Sequence, residues 1–263
     1  MPKRAHILVT NDDGIYSEGI YALAKALGRV GDVTVVAPDS EQSAVGHGIT
    51  MAEPLRVKKI SRRSRHFGYA VSGTPADCVK IAVNSILKRK PDMVVSGINL
   101  GPNVGFSVLY SGTVSGAMEG AILSIPSIAV SLATFVRPDF RIAASFTAEL
   151  ARYALRAGIP RGTCLNVNVP AVPAGRIKGV RITAQGRSPI TESFDRRVDP
   201  RGVVYYWLTG ESLDLGAEGG SDISAVQKGY VSITPLRYDI TDYECMERLK
   251  TNGGAERFLS KRR

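Results

Sequence analysis

Up to about Thr183 the chain alternates short β-branched runs with longer stretches in which Leu, Ile, Val and Ala recur every three to four residues. This repeated exchange of a two-residue for a helical period is the pattern of βαβ units around a mostly parallel sheet, an α/β fold. It predicts strands at 6–10, 33–37, 69–72, 92–96, 127–131, 164–169 and 179–183, with helices at 18–29, 75–89, 113–124 and 139–157. Thr74 followed by Pro75 is a good helix start, since proline at the first helical position gives up no needed donor and threonine caps the turn. The run Asp92-Met93-Val94-Val95-Ser96 reads as a strand buried on both faces.

After Arg187 the pattern breaks into Ser, Pro, Asp, Arg and Gly around Tyr205-Tyr206-Trp207, continues through Gly216 to Ser221, and regains order at Tyr230-Val231-Ser232-Ile233-Thr234. The chain is therefore divided into a catalytic core, 1–187, and a β-rich extension, 188–263, with a hairpin and a C-terminal helix. Exposed aromatics on such an appendage favour self-association. A hairpin folded back over its own active site is the competing reading.

With 263 residues the chain needs neither disulfide nor metal merely to fold. Cys78, Cys164 and Cys245 are far apart and lack CxxC or Cys/His ligand spacing, which fits a reducing cytoplasm. No apolar run approaches the roughly 18 residues of a membrane span, so neither a membrane partner nor secretion is expected. The net charge of +10 is concentrated in Arg56 to Arg65, Lys88 to Lys90 and Lys261 to Arg263. It would steer anions toward the surface, but the interleaved aromatics of a single-strand nucleic-acid platform are almost absent there. No stable nucleic-acid complex is expected.

In a doubly wound sheet, ligands collect at the carboxyl ends of the strands. Polar residues fall at those ends: Asn11-Asp12-Asp13 after the first strand, Asp39 through Ser43 after the second, and Asn99 through Asn103 after the central one. Two vicinal carboxylates at the end of a buried strand cannot both go unpaired, and a hard divalent cation with oxygen ligands is the natural counter-charge. The competing reading has Asp12 capping the next helix and Asp13 solvated. Further along, Ser111-Gly112-Thr113 enters a helix through small and hydroxyl residues, a suitable seat for phosphate at the positive helix end. Gly116 and Ala117 are read as close helix-to-strand packing.

Rival chemistries lack their residues. There is no GxxxxGK[ST], no GxGxxG in the first turn and no GxSxG. His6, His47 and His66 make no case for a triad, and His47 is read as a local loop contact, with a place in the site wall as the alternative. A metal-dependent hydrolase of phosphate esters remains.

These segments resemble the SurE family, the survival-protein E type of 5′-nucleotidase. The likeness is carried by Val9-Thr10-Asn11-Asp12-Asp13-Gly14-Ile15, Val36 through Ser43, Ser72-Gly73-Thr74-Pro75-Ala76-Asp77-Cys78-Val79, Val95 through Asn103 and Tyr110-Ser111-Gly112-Thr113-Val114. Matches at Leu165 to Pro170 and Gly229 to Leu236 extend it over nearly the whole chain. The resemblance implies a Rossmann-like three-layer α/β/α core with a C-terminal β-hairpin extension, and hydrolysis of nucleoside 5′-monophosphates. Some members also act on 3′-nucleotides and short polyphosphate. It further implies one Mg²⁺ or Mn²⁺ per subunit, held by Asp12, Asp13, Ser43 and Asn99, with phosphate contacts from Asn103, Ser111, Gly112 and Thr113. A homodimer or homotetramer assembled through the extension belongs to the same expectation.

Asp12 and Asp13 are the expected catalytic pair, with Asp12 the first choice to take a proton from an attacking water. Direct attack by an aspartate is the mechanistic alternative. The nucleoside is expected near the loops after strands two and three. Ala44, where many members have glycine, is expected in an ordinary backbone conformation. An RNA-binding module using the basic surface is the alternative function.

Overall fold

Ile7, Leu8 and Val9 have no exposed surface, and the strand they build, β1 (His6–Thr10), runs through the middle of a sheet covered on both faces. Burying each such side chain contributes about 1.5–3 kcal/mol, which is why an uninterrupted apolar run settles here. The computed structural model describes residues 4–136, 138–187, 190–213 and 219–251. Gly216 to Glu218 of the Gly216–Ser221 segment and the basic tail Lys261 to Arg263 lie outside the described residues.

The chain runs through β1, α1 (Glu18–Leu27), β2 (Asp32–Pro38), β3 (Val57–Arg62), β4 (Arg65–Val71), α2 (Pro75–Ile81), β5 (Met93–Leu100), α3 (Gly112–Ile122), β6 (Ser127–Ala133), α4 (Arg141–Ala157), β7 (Thr163–Pro170) and β8 (Val180–Ile182). It continues with β9 (Ile190–Val198), β10 (Val204–Leu213), α5 (Asp222–Gln227), β11 (Val231–Arg237) and α6 (Tyr243–Thr251). Among the described residues nine strands form one sheet in the order β3-β4-β2-β1-β5-β6-β7-β11-β8. From β4 to β7 every neighbouring pair is parallel. The order reverses between β1 and β5, the switch point at which such sheets bind ligands.

On one face α1 and α4 pack together, with Ile20, Leu23, Leu27, Ala143 and Ala151 buried against Ile7, Val9 and Val95. On the other lie α2 and α3, with Cys78 and Val79 against Leu8, Val36 and Val94. This is the expected three-layer α/β arrangement. β9 and β10 pair antiparallel as a separate two-stranded sheet, the expected hairpin. The boundary placed after residue 187 falls between β8 and β9, and β11 returns across it to pair with both β7 and β8.

One element is new and two local expectations change. The basic segment around Arg56–Arg65 holds an edge strand: β3 pairs antiparallel with β4 across a turn in which Arg63 and Ser64 both have positive φ. Helix α2 starts as expected, with a reciprocal capping box between Thr74 and Asp77, but ends at Ile81 and passes into a π-turn, Ala82–Ile86. Ala44 has φ 56°, not an ordinary conformation. Left-handed backbone costs a non-glycine residue about 1–2 kcal/mol, so the neighbouring loop contacts must hold it there.

Candidate active site

Asn11 is fully buried, and its amide donates to Gly14 O at 3.0 Å and to Ser17 Oγ at 2.9 Å. It thereby ties the turn after β1 to the start of α1, where Ser17, and not Asp12, is the cap. Gly14, at φ 88°, takes the bend a side chain would resist. The outcome is a rigid turn that presents Asp12 and Asp13 at the switch point.

Asp12 is 6 % exposed, and its carboxylate is received by the first turn of α3. The Thr113 backbone N–H donates to Asp12 Oδ2 at 3.0 Å and the Thr113 hydroxyl donates to Oδ1. Gly112 makes this approach possible, because a Cβ on it would lie 2.8 Å from the Asp12 Cβ and 3.2 Å from Gln42 O. Burial nevertheless pushes the Asp12 carboxyl above its ordinary range, against those hydrogen bonds. Burial, then the charges of Asp12 and Glu41, push Asp13 up to about 7.

Asn99, at the end of β5, turns its Nδ2 onto Gly101 O at 2.8 Å. Its Oδ1 lies 3.4 Å from the Thr113 hydroxyl oxygen. That hydroxyl has one proton, already given to Asp12, so acceptor oxygens of Asp12 and Asn99 converge without enough donors to satisfy them. Facing acceptors next to a second carboxylate are stabilised by a cation. Among the described residues no three His, Cys, Asp or Glu side chains gather to hold a metal ion. Two carboxylates completed by neutral oxygens are a set that would suit a hard cation keeping bound water.

The remaining expected residues are placed differently. The Gln42 N–H donates to Asp12 O at 2.8 Å, which brings the neighbouring Ser43 to the edge of the site. The exposed Ser43 hydroxyl, however, donates to Glu41 Oε1. Ser111 is the cap of α3, accepting from the Val114 N–H at 3.1 Å, so its own proton is available to a ligand. Thr113 commits both its donors to Asp12, and among the described residues the Gly112 N–H has no acceptor, leaving the Ser111 hydroxyl and the Gly112 N–H as donors open to a ligand. Asn103 is buried in a network of amides: its Nδ2 donates to Ser131 Oγ at 2.8 Å, its N–H donates to Asn168 Oδ1 at 2.8 Å, and Asn166 and Asn168 both donate to its carbonyl. It fixes the loop between β5 and α3.

Sequence reasoning missed Asn166 and Asn168, although two amides spaced by two within an apolar strand mark one polar face. It also missed Glu119, fully inside α3, and misread His47. The His47 Nε2 meets Glu119 Oε2 at 2.9 Å, a contact across 72 residues and not a local one.

Comparison with known proteins gives a consistent picture. The family model described as "Survival protein SurE" matches residues 7–192. The chain is 53 % identical over 243 residues to a Syntrophobacter fumaroxidans protein named "5'-nucleotidase SurE", covering 92 % of this chain and 97 % of that one. It is likewise 53 % identical over 244 residues to a Moorella thermoacetica protein of the same name, at 92 % and 94 % coverage. The crystal structure of the Sure protein from Aquifex aeolicus superposes with a TM-score of 0.83 at 46 % identity, covering 94 % of this chain and 99 % of that one.

Proposed function

The chain belongs to the SurE family, and from that premise we propose that it is a divalent-metal-dependent 5′-nucleotidase that hydrolyses nucleoside monophosphates to nucleoside and phosphate. The observation that carries the chemistry is the convergence of Asp12 and Asn99 oxygens on the Thr113 hydroxyl at the N-terminus of α3, with the Asp13 carboxyl close enough to feel the Asp12 charge. Curated relatives at about half identity bear the name 5′-nucleotidase. Nothing favours the RNA-binding alternative.

Asp12, Asp13, Asn99 and Ser43 are the residues that would hold one Mg²⁺ or Mn²⁺, which when bound supplies a Lewis acid for phosphate and a more acidic water. The chain's own part is positioning and charge. The Gly112 N–H and the Ser111 hydroxyl donate to phosphate oxygens at the positive end of α3, where developing negative charge is stabilised. Thr113 locks the orientation of Asp12. Because both Asp12 oxygens already accept from Thr113, Asp13 is the better carboxylate to receive the proton of the attacking water. That revises the earlier preference for Asp12. 3′-Nucleotides and short polyphosphate present the same terminal phosphate and are further candidate substrates.

The β9–β10 hairpin exposes Phe194 (64 %), Tyr206 (60 %) and Trp207 (58 %). An isolated two-stranded ribbon is marginal in water, which supports burial of this ribbon in a homodimer or homotetramer; light scattering after size exclusion measures the copy number. The three cysteines are free thiols, Cys78 and Cys164 buried and Cys245 exposed, in keeping with a reducing cytoplasm. Among the described residues no helix is long and apolar enough to cross a membrane.

Phosphate release from AMP or GMP tests the activity. Metal-stripped protein should be inactive, regain turnover on addition of Mn²⁺ and lose it again with EDTA. No release under any metal condition would overturn the proposal.

A further inference from the structure

The loop between β2 and β3 carries Ser43 and has no regular structure over residues 41–50. It is fastened at several points. Gln42 N–H donates to Asp12 O at 2.8 Å and Gly46 N–H to Tyr110 O at 3.0 Å; the Thr74 hydroxyl donates to Gly48 O at 2.8 Å and Thr50 N–H to the Asp77 carboxylate at 3.1 Å. Between the first two ties lie Ser43, the left-handed Ala44 and Val45, a strained stretch that stays in place only if its far end is held.

That far end meets an ionic contact. Glu119, on the same helix whose first turn receives Asp12, is 2 % exposed. One carboxylate oxygen faces His47 Nε2 at 2.9 Å and the other faces Lys80 Nζ, from α2, at 3.1 Å. The His47 side chain is 33 % exposed, closing Glu119 from the solvent side. Burial pushes the Glu119 carboxyl up, but the hydrogen bonds from His47 and Lys80 prevail and hold it below its ordinary value. Hydrogen bonds to an ionised group are roughly twice as strong as neutral ones, so this tie, like that of Thr50 to Asp77, outweighs the neutral backbone ties of the loop. Lys80 alone would still neutralise Glu119 if His47 were removed.

We infer that His47 is a positioning residue for the cation site: anchored on Glu119, it fixes the loop so that the Ser43 oxygen is available to a divalent cation beside Asp12. The inference rests on the reading of Asp12, Asp13, Asn99 and Ser43 as a metal site. It assigns α3 two tasks, to orient Asp12 at its N-terminus and, two turns later, to hold the loop that brings the serine.

Calorimetric titration of Mn²⁺ into metal-stripped protein tests it independently of turnover, with the melting temperature of each variant measured alongside. Outer-shell supports of metal sites are worth about 10–100-fold in affinity. His47→Ala should therefore weaken Mn²⁺ binding about tenfold, at the low end of that range, with little change in melting temperature. His47→Gln, which keeps an N–H for Glu119, should recover most of it. In a Ser43→Ala background, His47→Ala should weaken binding no further, because residues acting through one another are not additive. Unchanged Mn²⁺ affinity in His47→Ala, or a full additional loss in the Ser43→Ala background, would overturn the inference while leaving the metal site standing. Failure of the wild-type protein to bind Mn²⁺ would remove both together.

Discussion

Thr113 gives its backbone N–H and its hydroxyl to the two carboxylate oxygens of Asp12, across 101 residues of sequence. One residue thus joins the end of β1 to the start of α3, and the proposed metal half of the site to the proposed phosphate half. Thr113→Val preserves shape and removes the hydroxyl, leaving a buried acceptor unmet at a cost of about 1–3 kcal/mol. Phosphate release should fall at least about tenfold, the equivalent of 1.4 kcal/mol in the barrier, and Thr113→Ser should restore most of it. Steady-state assays with chemical unfolding of the same samples check both effects.

Gly112 has no room for a methyl group, since the Cβ would press on both Asp12 and Gln42 O. Gly112→Ala must move either the helix start or the carboxylate, at about 1–3 kcal/mol for overpacking. A shift of about 1 Å in a reacting group can cost on the order of 100-fold in rate. The expected result is a much larger loss in kcat than in stability. A variant with wild-type turnover would show that this contact does not set the geometry.

The metal-free protein should show a characteristic pH response. Asp13 titrates near 7 in the folded chain, raised by burial and by Asp12 and Glu41, against an ordinary 3.8. For a carboxyl raised on folding, the stabilising contribution is complete below the unfolded value and is lost as pH rises through the folded one. Metal-stripped protein should therefore lose stability between about pH 4 and pH 7 from this group. Mn²⁺, which favours the ionised form, should stabilise it increasingly over the same interval. Melting curves with and without Mn²⁺ at pH 5 and pH 8 measure the difference.

Much of this site was legible because its pieces sit at strand ends, where a short apolar run fixes both direction and depth. Asp12 and Asp13 follow β1 and Asn99 sits at the end of β5, so placing the strands placed the residues. The edge strand β3 was hidden for the opposite reason: Lys58, Lys59 and Arg62 give it the charged, solvent-facing pattern by which edges resist pairing with other chains, and that pattern resembles a loop. The end of α2 was missed because apolar residues continue at helical spacing through the π-turn to Ile86. His47 and Glu119 could not be paired from sequence, since each is ordinary alone and only the docking of the β2–β3 loop on α2 and α3 brings them together. Which donors remain free was equally invisible, because Thr113 offers its hydroxyl to phosphate on paper and to Asp12 in the fold.

The central claim is that Asp12 holds a cation for phosphate-ester hydrolysis and is not merely a cap for α3. Asp12→Asn keeps the size of the side chain and removes the charge. Phosphate release from AMP at saturating Mn²⁺, with thermal unfolding followed on the same preparation, tests it most directly. The account predicts a loss of about 100-fold or more in turnover, the scale of removing a central electrostatic group, with the fold intact. An Asp12→Asn protein that releases phosphate at the wild-type rate would contradict it.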